Sequence, residues 1–345
     1  MQGIPTLSQG VSFRLSVACA ATLVFACLAQ AQSLDDVHVT PHRKLNTQPS
    51  TMDVAPIQGL PTLEPHIKPL LVDVDLVLIP VTVTDGMNRP VTTLQKQNFA
   101  LYEGGKPQDI QYFFADEEPL SVAVLVDVSK SMSDKIEIER TALRDFFNNA
   151  NPQDEYFVIT FSDRPRLLGS PSTSIDEIQR QLMLAEPGGP TAMLDAIYLA
   201  EAQLRRARYK RRAIIIFSDG GDNVSHYTQR EVKALVREGD INVYAIGLFE
   251  TSFVFGSFEE KLGGQWLRGI TDATGGHTIT VEKRDKVPEA AASISRQMRS
   301  RYVLGYRPAL RGNGKWRKIE VRVTSAAAEK PVRAYYKNGY ISPEK

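Results

Sequence analysis

The chain has 345 residues, 42% of them hydrophobic and 23% charged, with a formal net charge of +1. That length accommodates one large domain and a smaller one, and that composition supplies an ordinary globular core. With 41 basic residues against 40 acidic ones, there is no basic excess of the kind a nucleic-acid surface requires.

In chain order, the first segment departs from the rest. A lone Arg14 precedes the apolar run LSVACAATLVFACL, and AQA follows. Basic, apolar and small-x-small in that order predict a secretory signal over residues 1–31, cleaved after Ala31, since the run is too short for a membrane span. Cleavage would leave no transmembrane segment and export the protein to periplasm, cell surface or medium. The sequence VFAC also allows a weak lipoprotein box, with a lipid at Cys27 as the alternative. Both cysteines, Cys19 and Cys27, fall inside this segment. The mature chain would therefore carry no disulfide, catalytic thiol or thiolate metal site.

Residues 32–70 hold Pro41, Pro49, Pro56, Pro61, Pro65 and Pro69 without a sustained apolar period. Such a stretch predicts an extended, disordered linker. From residue 71 to 118 the texture becomes β. The run VDVDLVLIPVTVTD alternates β-branched residues with others, and DGMNRP and Gly104-Gly105 supply turns. Residues 119–300 alternate strands with helices. Strands are predicted at SVAVLVDV, YFVITF, RAIIIFSD, NVYAIGLF and HTITV, with helices over 135–149, 175–184, 191–208, 228–238 and 259–273. Continuous apolar strands separated by helices predict a doubly wound, mostly parallel sheet covered on both faces. Residues 301–345 return to β texture. They are expected to complete a flanking β-sandwich with residues 71–118, because neither half alone can bury both faces of its strands.

In a sheet of this kind, ligands bind beyond the carboxyl ends of the strands. Three segments fall there: Asp127, Ser129 and Ser131 after the first strand, Asp219 after the third, and Thr191 where a helix opens. Two carboxylates and three hydroxyls, without sulfur or imidazole, suit a hard cation such as Mg²⁺, with Mn²⁺ or Ca²⁺ as alternatives. Few charged ligands leave the ion electrophilic enough to accept a further carboxylate. The competing reading is that Ser131, Ser133 or Asp134 merely caps the following helix.

The motif DVSKSMS, with Thr191 and FSDG, resembles the metal-ion-dependent adhesion site of von Willebrand factor type A domains. The resemblance implies that Ser129, Ser131 and Thr191 reach the metal directly, while Asp127 and Asp219 act through water or close contact. It also implies a last position filled by an acidic residue of a protein ligand. VTVTDGMNRPVTTLQKQNFALYEGGKPQDIQYF, PLSVAVLVDVSKSM and RYVLGYRP further resemble the exported bacterial VWFA-related proteins, over residues 71–340. Two departures stand out: Lys130 at a position where small residues are frequent, and Pro190 before Thr191.

Asp222 and Asn223 add oxygens near the same rim, either backing the ligands or simply turning the chain. Phe253, Phe255, Phe258 and Trp266 follow the fourth strand among glycines. They read as a partner-contact rim or, equally, as a lid folded back over the sheet. The run RRARYKRR, residues 205–212, is a solvated helix end or an acidic-partner patch. His226 and His277 show no orienting carboxylate in the pattern, so no Ser-His-Asp chain is expected. The leading expectation is a non-enzymatic exported module that binds an acidic protein ligand through the metal. A Mg²⁺-dependent hydrolase is the first alternative, weakened because Ser129 stands where aspartyl-phosphate chemistry needs a second acid. The other alternative is a structural metal site with binding through the sandwich.

Overall fold

The computed structural model describes residues 76–171, 173–248, 258–281, 283–309, 313–324 and 331–343, without the side chains of 258–261 and 284. The leader, Cys27 and linker readings lie outside the described residues, as do Phe253 and Phe255.

Six strands form the central sheet: β5 (Ser121–Asp127), β6 (Glu155–Phe161), β7 (Pro165–Gly169), β8 (Arg212–Ser218), β9 (Ile241–Leu248) and β10 (Thr278–Val281). Their order is β10-β9-β8-β5-β6-β7, parallel throughout except for β7, which returns antiparallel to β6 along the edge. Every residue of β5 is buried, as its uninterrupted apolar run demands of a strand covered on both faces. One face packs on α1 (Ile136–Asn148), α2 (Ile175–Leu184) and α6 (Val287–Arg299) through Phe146, Ile178, Ile294 and Met298. The other packs on α3 (Met193–Leu204), α4 (Gln229–Glu238) and α5 (Phe258–Thr274) through Ile197, Val232, Leu267 and Ile270. This is an α/β doubly wound sheet.

Two elements escaped the sequence reading. β7 is short, partly exposed and begins with proline, so its composition does not announce a strand. α6 buries Val287, Ala290, Ala291, Ile294 and Met298 at helical spacing behind an N-terminal Pro288, a pattern that is present in the sequence.

The remaining strands build two antiparallel sheets. One has the order β13 (Arg333–Tyr336), β1 (Val77–Thr84), β11 (Arg301–Tyr306), β4 (Tyr112–Asp116). The other runs β14 (Gly339–Ile341), β12 (Trp316–Val323), β2 (Phe99–Glu103), β3 (Lys106–Gln108). Each sheet mixes strands from both ends of the chain around a core of Val81, Leu101, Leu304, Tyr306 and Ile319. β2 and β3 pair Glu103 with Lys106 across Gly104-Gly105, whose φ values of 55° and 79° are the left-handed pair that a two-residue hairpin needs.

Sandwich and central sheet are tied together by a buried ion cluster. Asp116 at the end of β4 accepts from Arg301 at 2.6 Å and from Arg211, just before β8, at 3.4 Å; Arg211 also donates to the Met298 carbonyl at 2.8 Å. Part of the basic run is therefore an internal tie rather than a surface patch. No described helix is long and apolar enough to cross a membrane.

Candidate metal centre

β5 and β8 are neighbours, so their carboxyl ends deliver Asp127 and Asp219 side by side. Asp127 is fully buried. One oxygen accepts the Ser129 backbone N–H at 3.0 Å, and the other accepts the Ser218 hydroxyl at 2.5 Å. Burial, together with the negative charge of Asp219, pushes its carboxyl up to about 7. Ser218 Oγ in turn accepts the Gly220 N–H at 2.9 Å, so the strand-end loop carrying Asp219 is threaded onto Asp127.

After β5 the chain enters a 3-10 turn, Lys130–Met132, that aligns the Ser129 and Ser131 hydroxyls 3.1 Å apart. Neither caps α1, whose N-terminal residue Lys135 has no side-chain cap, and Ser133 donates back to the Lys130 carbonyl. Ser129 is buried and Ser131 exposed, which makes the pair a step from the interior to solvent. The Thr191 segment is fastened to this turn by Lys130 N–H to Gly189 at 3.0 Å and Gly188 N–H to Val128 at 2.9 Å. Pro190 therefore leaves the approach of the two segments intact.

Thr191 meets the Asp219 loop at Gly221. A Cβ placed there would lie 3.5 Å from Asp219 Oδ1 and 3.9 Å from Thr191 Oγ1, so both oxygens border the same small space. Asn223 Oδ1 accepts the Thr191 N–H at 2.8 Å, and the Asn223 N–H returns to the Thr191 carbonyl at 3.0 Å. Asp222 accepts the Leu194 N–H and the Ser225 hydroxyl at 2.8 and 2.7 Å, capping α3 from outside its own segment. Asp222 and Asn223 thus pin the Thr191 segment to the Asp219 loop.

Sequence reasoning missed two residues, both on the segment after the serines. Lys135 is buried and places Nζ 3.3 Å from Asp219 Oδ2. Glu139, one helical turn later, has no accessible surface, and no hydrogen bond reaches either carboxylate oxygen among the described residues. Burial first, and the charge of Asp127 next, hold it well above the ordinary carboxylate range. A helical wheel of α1 signals both positions: Lys135, Glu139 and the buried Ala142, Leu143 and Phe146 share the inward face.

Two sequence expectations change. Trp266 is 8% exposed and packs in the core beneath α5, so it is not a partner contact on the rim. Phe258 lies at the start of α5 with its side chain outside the description. His226, expected to lack an orienting carboxylate, has one: its Nδ1 lies 2.8 Å from Asp195 Oδ2. The adjacent Ser225 hydroxyl donates to Asp222 instead, so the pair is not a Ser-His-Asp chain.

The donor set fits a hard divalent cation: oxygen only, two carboxylates deep in the site, the Ser131 hydroxyl at its mouth, and behind them a buried carboxylate with no hydrogen-bond partner among the described residues. Among the described residues no three of His, Cys, Asp and Glu converge as a metal cluster. A set of two carboxylates and three hydroxyls does not need one.

No curated protein matches the chain. Among solved structures, similarity extends to the von Willebrand factor type A protein from Catenulispora acidiphila, at 11% identity and TM-score 0.46, covering 78% of this chain and 72% of that one. Proximal thread matrix protein 1 from the mussel byssus, with a zinc-occupied MIDAS motif, gives 19%, 0.44, 57% and 50% in the same order. Manganese-loaded TRAP protein from Plasmodium vivax gives 16%, 0.42, 65% and 96%. The chain thus spans half of the mussel structure. Residues 122–221 match the family model for the von Willebrand factor type A domain, a stretch that holds Asp127, Ser129, Ser131, Thr191 and Asp219 together. Over residues 122–221 the sheet, its helices and this centre are thus similar to a von Willebrand factor type A domain.

Proposed function

We propose that the protein is an exported, non-enzymatic binding module. It takes a divalent cation, Mg²⁺ or Mn²⁺ by preference, at the loops after β5 and β8 and before α3. A carboxylate of a protein partner completes the ion's shell. The observation that carries this reading is the gradient of the site: buried Asp127 and Asp219 at the bottom, exposed Ser131 at the mouth, all fastened by backbone hydrogen bonds. Ser129, Ser131 and Thr191 would hold the ion with neutral oxygens, and the two aspartates would anchor it from below. The ion supplies an electrophilic point for an incoming carboxylate.

Binding, rather than turnover, is the reading that the surroundings of Asp127 support. Its two oxygens are engaged by Ser129 and Ser218 and it has no solvent-accessible surface, so it has no line of attack on a substrate. The test is calorimetric titration of Mn²⁺ and Mg²⁺ into the chelator-treated chain, beside the Ser129→Ala/Ser131→Ala double variant. One saturable site, lost in the variant, supports the reading. A folded wild type that binds neither ion refutes it.

A further inference from the structure

The metal centre has a cation of its own. Lys135 is 7% exposed, and its ammonium sits 3.3 Å from Oδ2 of Asp219. The pair is buried rather than superficial: both side chains are nearly closed to solvent, at 9% and 5%. Among the described residues, three acids belong to this region. Asp219 is in contact, Asp127 lies on the adjoining strand, and Glu139 projects from the same helix four residues on. Glu139 is the independent sign that the charge balance here is unfinished, because a fully buried carboxylate whose oxygens meet no hydrogen-bond partner among the described residues is expensive.

We infer that Lys135 is the resident counter-cation of the metal-free centre, neutralising Asp219 until a divalent ion arrives, and that it sets the affinity of the centre by competing with that ion for Asp219. The inference rests on the metal-binding reading above and adds a residue that tunes it. An ammonium and a divalent ion that share one carboxylate repel each other at close range with little water between them. The ion therefore binds against the lysine, and more weakly than the five ligands alone would allow. In exchange, the apo protein avoids burying uncompensated acids and stays folded before metal is loaded.

Replacement of the lysine separates the two effects. In Lys135→Met, full-length and chelator-treated, Mn²⁺ should bind about tenfold tighter or more by calorimetry at pH 8. The metal-free melting temperature should fall while the Mn²⁺-saturated one changes little, so the metal-induced shift widens. Lys135→Arg keeps the charge and should keep weak, wild-type-like binding. A variant that folds only when Mn²⁺ is added also supports the inference. Mn²⁺ affinity in Lys135→Met equal to or below that of the wild type overturns it. If that variant does not fold with or without Mn²⁺, Lys135→Gln is read by the same criteria. Adding Ser129→Ala/Ser131→Ala to Lys135→Met should abolish the tightened binding; binding that persists places the ion elsewhere and overturns the inference. No partner enters the assay, so failure of the partner reading leaves this result standing. A wild type that binds no Mn²⁺ beside a Lys135→Met that does would refute the first reading for the native chain and uphold the role of the lysine.

Discussion

Gly263→Ala adds one methyl group where the Asp219 loop touches α5. A Cβ at Gly263 would lie 2.5 Å from both the carbonyl carbon and the oxygen of Gly220, and a Cβ at Gly220 would meet Gly263 in the same way at 2.6 Å. Ordinary carbon contacts begin near about 3.5 Å, so the two backbones must part by roughly 1 Å. Backbone atoms cannot swing aside as a side-chain tip can. Two effects oppose each other. Alanine in a helix interior is favoured over glycine by about 1 kcal/mol, whereas overpacking of this kind costs about 1–3 kcal/mol. With rigid atoms on both sides the clash wins, for a net loss of about 1–2 kcal/mol, or on the order of 2–8 °C in melting temperature. Gly269→Ala on the same helix is the control. Its nearest neighbour is the Lys233 Nζ at 3.3 Å, the far end of a flexible chain, so that variant should gain stability from propensity alone. Scanning calorimetry of both variants reads the sign. Because Gly220 follows Asp219, Mn²⁺ affinity should also drop severalfold in Gly263→Ala and hold in Gly269→Ala. Stabilisation of both variants by the same amount would refute the close-contact argument.

The pH dependence of the centre follows from Asp127, whose folded carboxyl titrates near 7, above its ordinary value of 3.8. Below about 7 a metal ion must displace a proton, so apparent Mn²⁺ affinity should be flat above that pH and fall by about tenfold per unit beneath it, with proton release measurable in buffers of different ionisation enthalpy. For the same group the folded state holds the proton more tightly than the unfolded chain, so its contribution to metal-free stability should decline as pH rises from about 4 to about 7. Asn223→Ala removes the acceptor of the Thr191 N–H at 2.8 Å and should weaken Mn²⁺ binding about fivefold, a loss of about 1 kcal/mol, with little change in melting temperature. Asp116→Ala leaves the buried Arg211 without its carboxylate and should cost about 3–5 kcal/mol in chemical denaturation. Mn²⁺ affinity of the surviving folded fraction of Asp116→Ala should match the wild type, since the cluster lies at the opposite end of β8 from Asp219.

The central sheet was legible because its signal is one-dimensional. β5, β8 and β9 are runs of buried apolar residues, and a run needs no partner to be recognised. The three segments of the centre were legible for the same reason, since parallel strands put their carboxyl ends on one side whatever the side chains between them. Lys135 and Glu139 were not, because a charged residue on the inward face of a helix reads as an error in the pattern until the acids opposite it are known. Trp266 was misread for the converse reason. Its helix is evident in the sequence, but an aromatic among glycines reads as a rim, whereas Gly263 is there to admit the backbone of Gly220 and Trp266 turns into the core. His226 shows the limit in another form: its carboxylate, Asp195, is 31 residues away, and only the packing of the Asp219 loop on α3 joins them.

The centre economises on charge, and the arrangement explains why. An ion held by several carboxylates would be neutralised, and a further acid from a partner would gain little by approaching. Here the acids that surround the site are spent inward: Asp127 on Ser218 and the Ser129 N–H, Asp219 on Lys135. What reaches solvent is Ser131, at the outer end of a step whose inner end, Ser129, is buried as Thr191 is; these neutral oxygens are placed by hydrogen bonds rather than by charge. A divalent ion on that ledge would keep its positive field directed outward, toward any incoming carboxylate. The same logic makes the lysine intelligible, because acids buried to anchor an absent ion need a counter-charge in the meantime. Affinity for the ion and stability without it are thereby traded against each other at Asp219, where one oxygen borders the ion's space and the other meets the ammonium.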